Sequence, residues 1–420
     1  MIPAQVLAAG LGTRLRPLTY EIPKPMVPVL DRPVMAHIVD SLRAQGVERI
    51  IANLHYFPDT IREHFGDAIE YRYEPELLGT AGGVRNCRDF FGDSTFLVIS
   101  GDALTDLDLA DFLAAHRASG GVATLAVKQV EDTREYGVVL HDDAGRITGF
   151  QEKPDPEEAL SDLGNCGIYL FEPEIFDYFP GEDPTDWAND VFPNLLAHDV
   201  PFHIHRTDGY WNDVGSLDEL KSGTFDLLDG AMRLPIAGER VADGVTVGEG
   251  SSIDGVEITA GPVWVGRGVR FGDGVRLTGP LAIGDGSTVG DGAALRDSIV
   301  FPGTDIAAGT ILIGALTGRA GFAEWAMGAF LTLFLVVLLR PSAWRPHVSL
   351  AADARATPLE AGTIDLFVSN NTLEHIDGAM IAAIFDDFGR LARPGAVMSH
   401  FIDMADHYAS FDPRITVYNF

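Results

Sequence analysis

Apolar residues along the chain follow two successive rhythms. From Val6 to about Leu228, short runs rich in β-branched and aromatic residues alternate with stretches of helical period. Residues 49–54, 96–100, 122–127 and 166–171 read as strands, after a first strand in the opening MIPAQV. Residues 34–45 and 109–119 read as helices, the second behind the cap candidates Asp106 and Asp108. Strands alternating with helices predict an α/β unit whose mostly parallel sheet is covered by helices. In such sheets ligands lie at the carboxyl ends of the strands.

From about Val245 a six-residue period takes over. Val247, Ile253, Thr259, Val265, Phe271, Leu277, Ile283, Val289, Leu295 and Phe301 stand six apart, with glycine following at 248, 266, 272, 284 and 290. Thr259 alone interrupts the apolar series. This period predicts a left-handed β-helix of hexapeptides over 240–316, its apolar positions pointing into a prism-shaped core. After Ala315 the period stops. Residues 321–339, GFAEWAMGAFLTLFLVVLL, are apolar apart from Glu324 and are followed by Arg340 and Arg345. As a helix they would span ~28 Å at ~1.5 Å per residue, near the thickness of a bilayer core. Glu324 shortens the uninterrupted part, so a buried or interface helix in a linker over 317–347 is favoured over membrane association. An α/β texture returns over 348–420. The first unit is bounded at 1–232.

Composition narrows the partners. A chain of 420 residues, 46% hydrophobic and 22% charged, is folded and too long for one ordinary domain. Thirty basic against sixty-one acidic residues give a net charge of −31, which sets nucleic acid aside as a partner. Cys87 and Cys166 have neither metal nor disulfide spacing and read as packed thiols, as expected of a cytoplasmic protein. No basic region precedes the apolar opening, which reads as a strand and not as a signal peptide.

Against that acidic background the cations behind the first strand stand out. LAAGLGTRLRPLTYEIPKPMVPVL places Ala8, Ala9, Gly10 and Gly12 directly after it, then Thr13, Arg14 and Arg16, then Lys24 between Pro23 and Pro25. Small residues let backbone approach a ligand, and successive N–H groups with a guanidinium behind them suit phosphate oxygens. Asp102 lies just past the apolar run 96–99, where a carboxylate can hold a metal ion. Glu152 and Asn165 can bond hydroxyls, Lys153 can meet a phosphate, and Gly167 leaves room for a ring. His116, His198, His203 and His205 read as surface or loop histidines.

These stretches resemble the motifs of the sugar-phosphate nucleotidyltransferases over residues 1 to about 230. Residues 7–26 are similar to the family signature, which implies phosphate-binding positions at Leu7, Ala8, Ala9, Gly10, Gly12 and Thr13. GTAGG at 79–83 resembles the nucleobase-side loop, implying Gly79, Thr80 and Gly82. SGD at 100–102 and WNDVGS at 211–216 resemble the strand ends carrying the magnesium aspartates, Asp102 and Asp213. Gly137 in EYGVV, QEKP at 151–154 and NCGIYLF at 165–171 resemble sugar-side positions, implying Gly137, Glu152, Lys153, Asn165 and Gly167. The resemblance implies a Rossmann-like domain that joins a nucleoside triphosphate to a sugar 1-phosphate with Mg²⁺ and releases pyrophosphate. Arg14, Lys24, Asp102 and Asp213 would be its catalytic residues. EPELLGTAGGVR and SGDALTDLDL look most like mannose-1-phosphate guanylyltransferases; glucose-1-phosphate thymidylyl-, uridylyl- and adenylyltransferases share the frame. The β-helix implies a homo-oligomer.

The tail resembles another family in part. Residues 351–377 and 391–403 look like the second half of a class I S-adenosylmethionine-dependent methyltransferase, with Asp353-Ala354 at the adenine-side position. That family's glycine-rich loop is missing upstream, so no methyl transfer is expected. A catalytically silent regulatory subunit would lack some of Arg14, Lys24, Asp102 and Asp213, and all four are present. Acyl transfer by the β-helix is disfavoured because residues 245–316 contain no histidine.

Overall fold

The computed structural model describes residues 2–181 and 184–317, together with the backbone of two strands, Ile364–Asn370 and Ala392–Phe401. The chain divides into two compact units, Met1–Ala237 and Gly238–Phe420. The first holds a nine-stranded mixed sheet. Its strands are β1 (Ala4–Leu7), β2 (Ile50–Leu54), β3 (Glu70–Tyr73), β4 (Phe96–Ser100), β6 (Ala123–Gln129), β7 (Gly137–His141), β8 (Ile147–Glu152), β9 (Leu163–Phe171) and β10 (Phe202–Arg206). A two-stranded ribbon pairs β5 (Ala103–Thr105) with β11 (Trp211–Asp213). The sheet runs β8-β7-β9-β4-β1-β2-β3, with β6 beside β9 and β10 beside β6.

β4, β1, β2 and β3 are parallel neighbours, as are β6 and β10. Runs such as FLVI and IIANL are buried throughout, and apolar apart from Asn53, because strands covered on both faces have no solvent side. β9 breaks the direction: it is antiparallel to β4, β6 and β7. Its start therefore comes to the end of the sheet where β1 and β4 finish, so residues far apart in sequence meet there. Aromatic rings fill the core against this sheet, with Phe171 stacked on Trp187 at 4.4 Å and Phe91 on Phe96 at 4.0 Å.

Helices α1 (Val34–Ala44), α2 (Gly79–Arg85), α3 (Leu109–Ser119) and α4 (Leu217–Asp229) matter most for the loops. Asp108 caps α3, its carboxylate accepting from the Ala110 and Asp111 N–H groups. Asp106 does not cap; it accepts instead from the backbone of Tyr210 at 2.6 Å and of Arg233 at 3.1 Å.

In the second unit, parallel ladders carry the six-residue recurrence. Val247 pairs with Val265 and Val265 with Ile283; Phe271 pairs with Val289; Leu277 pairs with Leu295, each a step of eighteen. Val247, Val265, Leu277, Ile283, Val289 and Leu295 lie in one buried cluster. Two positions of the simple period are displaced. Ile258, not Thr259, opposes Leu277, and Thr259 bulges outward to meet the Thr278 hydroxyl at 2.6 Å. Val300, not Phe301, pairs with Ile283, because Gly279-Pro280 spans one corner while Asp297 alone spans the next. Ile306 and Leu312 then follow Val300 at steps of six, in the shifted phase.

The strands Ile364–Asn370 and Ala392–Phe401 pair in parallel. The apolar stretch 321–339 and Asp353-Ala354 lie outside the described residues. Among the described residues no helix is long and apolar enough to cross a membrane.

Candidate active site

Three segments converge where β1 and β4 end. The loop after β1 turns back at Gly12, whose φ of 62° is left-handed. A Cβ there would come within 2.8 Å of the Lys24 Cβ, so a bare backbone lets the loop lie on the lysine stem. The Thr19 hydroxyl donates to the Gly12 carbonyl at 2.7 Å and fixes that approach. Lys24 begins a 3₁₀ turn, Lys24–Met26, with its backbone narrowed by Pro23 and Pro25. Gly101 N–H donates to the Leu7 carbonyl at 2.9 Å, which sets Asp102 beside the loop. The β5–β11 ribbon brings Asp213 opposite Ala103, and Val214 N–H donates to the Asp102 carbonyl at 3.1 Å.

The side chains form one ion cluster. The Lys24 ammonium sits on the Asp102 carboxylate, and its Nζ lies 3.5 Å from Asp213 Oδ1. Half-exposed Arg14 reaches Asp213 at 3.9 Å and Glu135 at 3.6 Å. The Ser100 hydroxyl donates to Asp102 at 2.5 Å. Burial would raise the Asp102 carboxyl, but the Lys24 ammonium and the Ser100 hydroxyl outweigh it and hold its pKa below the usual range. Burial likewise opposes the Lys24 charge, and its two carboxylate neighbours overcome it, leaving its pKa above that of an ordinary lysine. Asp213 goes the other way. Burial first, and then the neighbouring Asp102 charge, push it up to about 6. One lysine thus serves two carboxylates, and the second is only partly compensated.

The other positions singled out from sequence fall into two groups. Around β9, Gly167 lies against Ser100, where a Cβ would stand 3.2 Å from the serine Cβ. Asn165 accepts from the Gly167 N–H at 3.1 Å and donates to the Tyr169 hydroxyl at 3.1 Å. The Trp211 indole N–H donates to the Cys166 carbonyl at 2.9 Å, tying this strand to the one that carries Asp213. Gly137 pairs with Glu152 across β7 and β8, and Lys153 N–H donates to the Tyr136 carbonyl at 3.2 Å. Glu152 and Lys153 are exposed. Glu135 joins this side to Arg14, and the Tyr136 hydroxyl donates to Glu219 at 3.1 Å.

On the other side, several groups expected to face a ligand already have protein partners. Ala8 N–H donates to Asn53 Oδ1 at 3.0 Å, and Gly82 N–H to the Thr185 carbonyl at 3.0 Å. The Thr80 hydroxyl donates to Asp186 at 2.5 Å. These loops are braced from behind, and Gly10, Gly12 and Thr13 form the remaining stretch near Lys24. Asn53, Glu74, Ser100, Glu135 and Glu219 were not singled out by type or spacing, although a polar Asn53 at the end of the apolar run IIAN is a signal in retrospect.

The histidines need correcting. His116 is buried, 3.1 Å from Glu172 and 2.8 Å from the Thr124 hydroxyl. His205 is largely covered beside Asp111, and His203 is half-buried; His198 alone is exposed. Burial outweighs the Glu172 carboxylate and lowers the His116 pKa. Both cysteines are buried, and burial pushes the Cys87 thiol up to about 12. A cavity of about 1040 Å³ opens between α1, the start of α3 and residues 205–210, and none of the expected catalytic, nucleotide or sugar residues lines it. Converging charge, not depth, marks the candidate site.

A profile of the nucleotidyl transferase family matches residues 4–230, from β1 through α4. The chain belongs to that family. All of the candidate-site residues lie in the matched span. A UTP–glucose-1-phosphate uridylyltransferase of Synechocystis is 38% identical over 335 residues, 74% of this chain and 86% of its own. Since 74% of 420 residues exceeds the 237 of the first unit, that similarity extends into the second. A mannose-1-phosphate guanylyltransferase of Mycobacterium tuberculosis is 35% identical over 66% of this chain and 78% of its own. The fold matches a putative glucose-1-phosphate thymidylyltransferase of Bacillus anthracis with a TM-score of 0.50 and 22% identity, over 56% of this chain and 98% of that one.

Proposed function

We propose that the protein transfers a nucleotidyl group from a nucleoside triphosphate to a sugar 1-phosphate, releasing pyrophosphate. The observation that carries this reading is the meeting of Arg14, Lys24, Asp102 and Asp213 at the loop behind β1 in a chain of net charge −31. A sugar-phosphate oxygen forms a bond to the α-phosphorus while the bond to pyrophosphate breaks, and no side chain need carry a proton. Two anions must be brought together and the leaving charge held. Arg14, forked and half-exposed, suits the leaving phosphates. Lys24 is a fixed point charge beside the reacting phosphate. Gly10, Gly12 and Thr13 wrap the triphosphate, with Leu7, Ala8 and Ala9 as the floor of that loop. Gly79, Thr80 and Gly82 border the base; Gly137, Glu152, Lys153, Asn165 and Gly167 receive the sugar phosphate.

Asp102 and Asp213 suit Mg²⁺. They are neighbouring oxygen donors, and the proton affinity forced on Asp213 is the crowding that a divalent cation relieves. Among the described residues no third acidic, imidazole or thiol group completes a protein-only cage. Mg²⁺ accepts such a sparse set because waters and phosphate oxygens fill its octahedron. When bound, it neutralises charge on the phosphate oxygens.

The substrate pair we favour is GTP with mannose 1-phosphate, supported by the 74–85 and 100–109 stretches and by the relatives named for that reaction. UTP with glucose 1-phosphate is the second reading, favoured by the Synechocystis relative whose similarity extends into the second unit. The ladders of the second unit we read as coils of a hexapeptide β-helix that joins copies of the chain; light scattering would then give a multiple of 45.2 kDa. The deciding experiment is pyrophosphate release with Mg²⁺ for GTP, dTTP, UTP, ATP and CTP against both sugar phosphates. One preferred pair establishes the reaction. Silence across the grid from a folded protein overturns it and points to a regulatory subunit.

A further inference from the structure

A chain of buried polar contacts joins the two loops to which the proposed function gives the nucleotide. Ala8 N–H, at the start of the first loop, donates to Asn53 Oδ1 at 3.0 Å. Asn53 Nδ2 donates to Glu74 Oε1 at 2.8 Å, and Leu78 N–H donates to Glu74 Oε2 at 3.3 Å. Leu78 is the N-cap of α2, the GTAGG helix. Asn53 is the next-to-last residue of β2 and Glu74 follows β3, so the chain crosses the sheet from β1 to the start of α2 near the ends of three adjacent parallel strands. Asn53 and Glu74 are 3% and 1% exposed. A buried carboxylate is held only where its partners satisfy it, so this placement is demanding. Gly83 seals the contact from above: a Cβ there would meet Asn53 Nδ2 at 2.6 Å and Glu74 Oε1 at 2.7 Å. Gln5 also donates to the Gly83 carbonyl, at 3.1 Å.

We infer that Asn53 and Glu74 are positioning residues that couple the phosphate-side loop to the base-side loop. The inference rests on the nucleotide assignment above. Every link has one donor and one acceptor, and the Asn53 amide can point only one way: its oxygen to Ala8 N–H, its nitrogen to the carboxylate. Removing one link breaks the connection and frees both loops, which lie on either side of one nucleotide. The sugar-phosphate residues on β8 and β9 are outside the chain of contacts.

The polarity of the middle link provides the test. In Asn53→Asp two carboxylates face each other; in Glu74→Gln the amide has one oxygen for two donors. In the double variant the aspartate accepts from Ala8 N–H and from the new glutamine amide, whose oxygen accepts from Leu78 N–H. The net charge is unchanged and the chain is complete with its middle bond reversed. Each single variant is expected to raise KM for the preferred triphosphate about tenfold, the loss of roughly one buried hydrogen bond, with KM for the sugar phosphate unmoved. Amide hydrogen exchange should rise together in residues 7–13 and 77–83. The double variant should recover both. An unchanged triphosphate KM in the singles, an equal rise in both KM values, or no recovery in the double overturns the coupling. Absence of pyrophosphate release in the parent refutes the nucleotide assignment instead. The exchange pattern then judges the coupling by itself: joint loosening and joint recovery support it, and independent behaviour of the segments overturns it.

Discussion

Asp102, just before β5, and Asp213, the last residue of its partner β11, carry the same functional group, yet their environments drive them apart. Asp102 has the Lys24 ammonium on one oxygen and the Ser100 hydroxyl on the other. Asp213 keeps only longer contacts to Lys24 and Arg14 and rises to about 6. Asp102→Asn therefore removes the carboxylate most firmly held in its charged form, and leaves Lys24 with Asp213 as its partner. Turnover is expected to fall by about 10²–10³-fold, the scale of losing one group that holds charge in the transition state, while the melting temperature changes by a few degrees. Near-normal turnover would remove Asp102 from the proposed metal site. These four charged residues were legible in the sequence because each sits in a run with its own signature: a lysine between prolines, an aspartate past an apolar strand. Asn53 and Glu74 were not, since a single polar residue near the end of a strand looks the same whether it meets water or a buried amide. Only the sheet order shows that they meet.

At the scale of elements, strands and helices of the first unit stand within a few residues of their predicted places, because apolar runs and caps are local signals. The antiparallel entry of β9 is not local and was not legible, though it is what brings Gly167 to Ser100. The second unit shows a finer limit. Its period was plain over ten repeats, but a corner one residue shorter or a strand one residue longer shifts the phase without disturbing the apolar count. Ile258 therefore packs on the core where the period points to Thr259. Truncation distinguishes the two phases. Ile258→Ala should destabilise by about 1–2 kcal/mol, discounted for partial burial, and Thr259→Ala by less than ~1 kcal/mol, since only a partly exposed hydroxyl contact is lost. Denaturant midpoints at equal slope would report both; a larger loss at Thr259 would restore the unbroken period.

At the scale of the whole molecule, the acidic surface and the buried histidines give the protein a defined response to pH. Burial holds His37 and His116 below the ordinary imidazole value, and neither the Val29 carbonyl beside the first nor the Glu172 carboxylate beside the second reverses this. Once unfolded, each ring takes up a proton near pH 6.5 that the folded chain refuses. The unfolded state then binds more protons, so stability falls as pH falls below that value. The loss is about 1.4 kcal/mol per pH unit for each ring that stays neutral. Asp213 acts with the opposite sign. Raised from 3.8 to about 6, it keeps a proton that the unfolded chain has released, so its contribution grows as pH falls through 6. The two buried histidines outweigh the one aspartate, and His64, His203 and His205, whose pKa values burial also lowers, add to the net loss. The melting temperature is expected to drop between pH 7 and pH 5.5, and less steeply in His116→Gln, where an amide keeps contacts to Thr124 and Glu172 but takes up no proton on unfolding. Scanning calorimetry of both proteins across that range decides the point: parallel curves would mean that His116 is not held neutral, and that its contact with Glu172 is an ion pair in the folded state.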